Sequence, residues 1–332
     1  MIFAALAART LLAACPAEAV CTERDGVLSV AATQARAEAV LVTALDARER
    51  FTAVFERAPG RTAIIEDMPR FPGFGAELRA DGWIVKPWIS PDAMRETLAA
   101  QMRPALRQAM PDASEAEIEA RITPVLDQRV GRDEKVRHAE AIIAHELGHL
   151  WFIDVFDWPQ SETGERAYGA AAAPDWLDET AAVILESDAL TEERRAALCA
   201  RLPEDPAAEY QRFFTIDHPL ISLARRAAES AEAAGGVSGE PRIMVMDSQA
   251  LGAGDALMSD AGYFYALSRN LVDWTLDEAE AALFPAMAAH VARGGDPASF
   301  LAGDGPAYGA PETLEAWSEA LGAYAAARCE TP

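Results

Sequence analysis

One short motif constrains this chain more than its bulk composition does. Residues His145-Glu146-Leu147-Gly148-His149 lie in a run from Asp133 to Trp158 that contains no proline and no glycine other than Gly148. Val136, Ala139, Ile142 and Ile143 recur at helical rather than strand spacing, so the run is expected to form one continuous helix. Positions i and i+4 share a helix face about one turn apart. His145 and His149 can therefore grip a single zinc ion, with Glu146 between them as a candidate general base. A catalytic zinc site usually takes three protein ligands, so the fold must bring another donor to this face from elsewhere in the chain.

The candidate donor is Glu179. Pro174 and Asp175 read as a helix start, and Trp176, Leu177, Ile184 and Leu185 give that helix a face to bury. A carboxylate in the first turns of a half-buried helix needs a partner, because burying a bare charge is costly. The small neighbours Thr180, Ala181 and Ala182 would let two helices approach closely. Glu165 and Asp178 are the rival ligands.

The motifs resemble those of the gluzincin metallopeptidases, the superfamily of thermolysin and aminopeptidase N. HELGHLWF (His145 to Phe152) is similar to the first motif of the aminopeptidase N family, and WLDETAA (Trp176 to Ala182) to its second, WLNEGFA. The gap between His149 and Glu179 is longer here, Asp178 stands in place of an Asn, and the GxMEN exopeptidase motif is not found. A closer resemblance is to the small bacterial peptidase-MA-like gluzincins. The stretch from Gly262 to Val272 resembles their YAQSxxLVxYL helix, and Phe284 to Gly295 and Leu314 to Leu321 match their closing helices in order and spacing. The segment Gly164 to Gly169 is only faintly similar to the aspzincin ligand motif and lacks its Asp.

That resemblance implies zinc, one ion per chain, held by His145, His149 and Glu179. It implies Glu146 as the general base and Tyr265 as the donor to the oxyanion, with Tyr263 and His218 as alternatives for the latter role. The expected function is zinc-dependent hydrolysis of a peptide or protein substrate by an endopeptidase. The alternative is a zinc-binding pseudoenzyme serving as a cell-envelope binding or assembly module. The expected fold is α+β, mainly α: a zincin-like metallopeptidase with a small N-terminal mixed β-sheet, an active-site helix and a helical C-terminal lobe. Residues 1–19 are read as a signal peptide or lipoprotein signal, 20–160 as the N-terminal lobe, and 161–332 as the C-terminal lobe.

Strand signal concentrates in Arg61 to Glu66 and Gly82 to Ile89. The gluzincin resemblance implies that Trp83 to Lys86 fills the role of the edge strand that aligns substrate backbone, the alternative being a plain edge strand closed by Pro87. Ser90 precedes a helix starting at Pro91, and Ser114 with Glu117 reads as a capping box. The chain carries 29 Lys plus Arg against 53 Asp plus Glu, a net charge of -24. A field of that sign disfavours nucleic acid and anionic membranes as partners. Ile2 to Ala14 is apolar but too short to span a bilayer, so no transmembrane segment is expected. Ala17-Glu18-Ala19 offers a signal-peptidase site, and Leu12 to Cys15 resembles a lipobox that would place a lipid anchor on Cys15. These features point to a periplasmic or secreted bacterial protein. In an oxidising compartment Cys199 and Cys329 are candidates to bridge two C-terminal helices, with Cys15 and Cys21 either processed or paired locally.

Overall fold

The computed structural model describes residues 15–71, 73–129, 133–157, 174–219 and 248–330. The export segment before Cys15 and the rival ligand Glu165 lie outside the described residues. The structure is mainly helical with one small mixed sheet. Two compact units are distinguished: residues up to Glu49 with Pro59–Leu147, and Arg50–Ala58 with Gly148 onward.

The first unit holds a four-stranded sheet in the order β1-β2-β3-β4. Strands β1 (Val20–Arg24) and β2 (Val27–Ala31) form an antiparallel hairpin. Its two turn residues, Asp25 and Gly26, take φ of 51° and 77°. Positive φ at both positions is the type I′ geometry whose twist matches that of paired strands, which is why an Asp-Gly pair sits here. Helix α1 (Gln34–Phe55) leads to β3 (Thr62–Glu66), which is parallel to β2, and α2 (Phe74–Ala80) leads to β4 (Ile84–Trp88), parallel to β3. Strands β2 and β3 are buried along their whole length, as their Val and Ile residues require. Leu28, Val30, Ala63, Ile65, Phe74, Leu78, Trp83 and Val85 make one core cluster. β4 is an edge strand, and Pro87 within it lacks an N–H to donate.

Helices α3 (Pro91–Ala109) and α4 (Glu115–Arg129) follow and share a small core of Ala99, Ile118, Ile122 and Leu126. Both starts are capped. Ser90 Oγ accepts from Ala93 N, while Glu117 Oε2 accepts from Ser114 N at 2.8 Å and Ser114 Oγ accepts from Glu117 N at 3.4 Å. The long helix α5 (Asp133–Phe156) then carries both motif histidines without interruption.

The second unit contains the end of α5 and a helical array. It comprises α6 (Asp175–Val183), α7 (Asp188–Arg201), α8 (Pro206–Phe213), α9 (Ser248–Glu278), α10 (Leu283–Ala292), α11 (Pro297–Gly303) and α12 (Leu314–Glu330). Trp151, Phe152 and Phe156 of α5 pack with Phe51 and Phe55 of α1, ring centroids 4.5–5.8 Å apart. Phe51 and Phe152 are at most 1% exposed, so each contributes roughly 1.5–3 kcal/mol by burial. Trp176 of α6 is likewise enclosed, by Phe213, Phe214 and Trp317. These two aromatic clusters anchor the helices that carry His149 and Glu179.

Cys199 of α7 is bonded to Cys329 of α12, and Cys15 to Cys21. A thiol in a disulfide cannot form a thioether to lipid, so the Cys15–Cys21 pair and a lipid anchor at Cys15 exclude each other. Among the described residues no helix is long and apolar enough to cross a membrane.

Candidate metal centre

Helix α6 begins at Pro174, which has extended backbone (φ -61°, ψ 136°), and every residue from Trp176 to Val183 is buried. Its approach to α5 depends on Gly148, the fourth residue of the motif. A Cβ placed on Gly148 would lie 2.5 Å from the Cα of Ala182, 3.2 Å from the carbonyl oxygen of Ala181 and 3.3 Å from the Cβ of Ala182. Two of those three atoms are backbone and cannot swing aside. The helices touch main chain to main chain, and the small Ala181 and Ala182 complete the fit.

This contact brings the third acid within reach of the histidines. His145, His149 and Glu179 are 5%, 7% and 1% exposed, and one donor atom from each lies within 4.8 Å of the other two. His149 Nε2 is 3.7 Å from Glu179 Oε2. Donors about 2.1 Å from a tetrahedral ion are roughly 3.4 Å apart, so this spacing is within a few tenths of an ångström of a closed coordination edge. Two imidazoles and a carboxylate form a donor set suited to a divalent metal ion, and the group could hold one.

Asp178, the rival ligand, occupies a different place. Its Oδ1 lies 3.0 Å from Nδ1 of His149, the ring nitrogen opposite the one that faces Glu179. Consecutive residues of α6 thus address the two nitrogens of one imidazole. With Nδ1 at ion-pair distance from Asp178, Nε2 of His149 is left on the side of Glu179.

His218 is fully buried, and its Nε2 sits 3.9 Å from Glu179 Oε1. Its backbone N–H donates to Asp175 Oδ2 at 2.6 Å, which anchors this stretch to the start of α6. Burial pushes the Asp175 carboxyl above its ordinary range, while the His218 bond opposes that rise. The His218 ring packs on Phe264 and Tyr265 of α9, at centroid distances of 4.9 and 5.1 Å.

The two candidate tyrosines part company here. Two residues apart on a helix, they point about 200° away from one another. Tyr265 meets both His218 and Arg194, with the guanidinium 4.6 Å from its ring centre. Tyr263 instead lines a separate hollow with Arg201, Glu209 and Asp260. Burial, then the charge of Glu209, push its hydroxyl up to about 12 against the opposing charge of Arg201. His218 therefore neighbours Glu179 and carries Tyr265 against its ring, while Tyr263 lines the separate hollow.

Glu146 is only half-buried and accepts a bond from Lys86 Nζ at 2.5 Å through Oε2, both side chains being 19% exposed. The sequence reading puts Lys86 on the edge strand and assigns it no partner. Sixty positions separate the two residues, and no local pattern links them.

Compared with known protein families, curated proteins and solved structures, the chain has no match.

Proposed function

We propose that this chain is a zinc-dependent peptidase of gluzincin type with a zincin-like fold, acting on peptide or protein substrates as an endopeptidase. The observation that carries the reading is the convergence of buried His145, His149 and Glu179 beside a less buried Glu146. The donor set of two imidazoles and one carboxylate suits zinc, and Asp178 behind His149 supplies the outer support such sites use. When bound, the ion supplies Lewis acidity, polarising a peptide carbonyl and making water a stronger acid.

The residues around it divide the remaining work. Glu146 takes the proton of the attacking water at its carboxylate and returns it to the leaving amine. Tyr265, packed against His218 and Arg194, offers its hydroxyl to the oxyanion that develops on the scissile carbonyl. His218 stands behind Glu179 and steadies its carboxylate from the buried side. The two disulfides fit an oxidising compartment, which supports a secreted or periplasmic location.

Zinc content and hydrolysis of a quenched-fluorescent peptide library test the proposal together. Purified protein should carry one zinc per chain. Glu146→Gln should keep the ion and lose about 10²–10⁴-fold in rate. Equal activity in that variant refutes the mechanism. A stably zinc-loaded wild type that cleaves no peptide favours a binding module instead.

A further inference from the structure

Lysine is nearly absent from this chain. Of its 29 basic Lys and Arg residues only Lys86 and Lys135 are lysines, and Lys86 is the one bonded to Glu146. A chain that uses arginine for 27 of its 29 Lys and Arg positions places one of its two lysines against the carboxylate of its most distinctive motif.

The chemistry of the two cations explains the difference. Guanidinium is a planar fork that takes both oxygens of a carboxylate, whereas ammonium is a point charge that can engage one. Two arginines of this protein act as such forks. Arg195 holds Asp273 through Nε to Oδ2 and Nη2 to Oδ1, each at 2.9 Å, and Arg194 holds Glu186 through Nε and Nη2 on its two oxygens, at 3.2 and 3.0 Å. Lys86 engages Glu146 through Oε2 alone. A fork at this position could engage both oxygens and so compete with a reacting proton.

The setting makes the contact a directing one. Lys86 projects from β4, whose register against β3 pairs it with Ile64, so a rigid sheet fixes its root. With both side chains 19% exposed, the pair is less screened than a surface ion pair.

We propose that Lys86 is the positioning residue of Glu146, an inference that rests on the peptidase reading above. Its ammonium pins Oε2 and so turns Oε1 toward the attacking water. Lys86 keeps its own proton throughout. The proton that moves passes from water to Glu146 and on to the leaving amine.

The scarcity of lysine supplies a measurement that needs no turnover. Protein labelled with ¹⁵N-lysine carries two side-chain ammonium groups, and Lys135→Arg assigns them. The Lys86 resonance should be protected from rapid exchange and should shift in Glu146→Gln; a resonance like that of a solvated lysine, unmoved by Glu146→Gln, overturns the proposal. In kinetics on the quenched peptides, Lys86→Met and Lys86→Arg should both lower kcat by about 10–100-fold, with KM and zinc content close to wild type. A merely structural ion pair would be restored by arginine, so wild-type kcat in Lys86→Arg, or in Lys86→Met, also overturns it. If wild type and Glu146→Gln are equally inert on every peptide, the peptidase reading falls. The ammonium spectrum then still decides whether Lys86 holds Glu146.

Discussion

Replacing Gly148 by alanine tests the helix contact on which the metal centre depends. Two effects of opposite sign compete. Alanine is the better helix former in a helix interior by about 1 kcal/mol, so at an unconstrained site Gly148→Ala would stabilise the protein. The new Cβ, however, would sit 2.5 Å from the Ala182 Cα, about 0.9 Å short of the 3.4 Å at which ordinary contact begins. No rotamer relieves that clash, because the obstructing atom is main chain and alanine has no χ angle to turn. α5 and α6 must separate by a comparable distance, and Glu179 sits three residues before Ala182 on the helix that moves. Overpacking of this kind costs about 1–3 kcal/mol, and contact with backbone puts it toward the upper end. The net expectation is a loss of about 1–2 kcal/mol, or roughly 2–8 °C in Tm for a unit of this size. Ligand distances in metal sites tolerate about ±0.2 Å, so a shift several times larger should weaken binding of the proposed zinc ion by at least about 10–100-fold. Calorimetry on the metal-free protein and chelator competition on the loaded protein read the two effects separately. Adding Ala182→Gly should not rescue either, since the Cα remains. A rise in Tm with unchanged zinc affinity would refute the close-contact argument, because propensity alone would then have decided the outcome.

Asp178→Ala removes the acid at Nδ1 of His149 without touching the three donors, so zinc affinity should fall about 10–100-fold in chelator competition while the circular dichroism stays that of wild type. If affinity is instead abolished, Asp178 is a ligand and Glu179 is not. Asp273, buried at 4% exposure, tests the helical unit far from that chemistry. Burial raises its pKa, but hydrogen bonds from Arg195 and the charges of Arg269 and Arg328 outweigh this and hold it below the ordinary carboxylate value. A depressed pKa means stability that is complete above the unfolded Asp value near 3.9 and is lost as pH falls through the folded value. Asp273→Asn should cost about 3–5 kcal/mol at neutral pH in denaturant unfolding, because three guanidiniums lose their shared anion, and should flatten the acid limb of the stability profile. An unaltered acid limb would show that other carboxylates govern it.

Local periodicity and capping chemistry determined a good part of this molecule. The absence of helix breakers around His145 and His149 is enough to make α5 continuous, and side-chain caps at Ser90 and Ser114 set the starts of α3 and α4 within the sequence itself. β3 and β4 fall inside the segments where β-branched and aromatic residues cluster. The hairpin β1–β2 escaped that reading although its Asp25-Gly26 turn is a legible signal, because it adjoins a segment read as export signal.

Relations between distant residues were decided by tertiary structure alone. That Asp178 and Glu179 address opposite nitrogens of one imidazole depends on the rotation of α6 about its axis, which no spacing rule encodes. The separation of Tyr265 from Tyr263 depends likewise on which face of α9 meets His218. Lys86 reaches Glu146 only because the sheet sets an edge strand beside the start of the motif. Sequence patterns act over a turn or two of helix and a few residues of strand, where backbone geometry is local. A metal-binding group needs atoms placed to tenths of an ångström across a packed interface, and only the side chains filling that interface supply this precision.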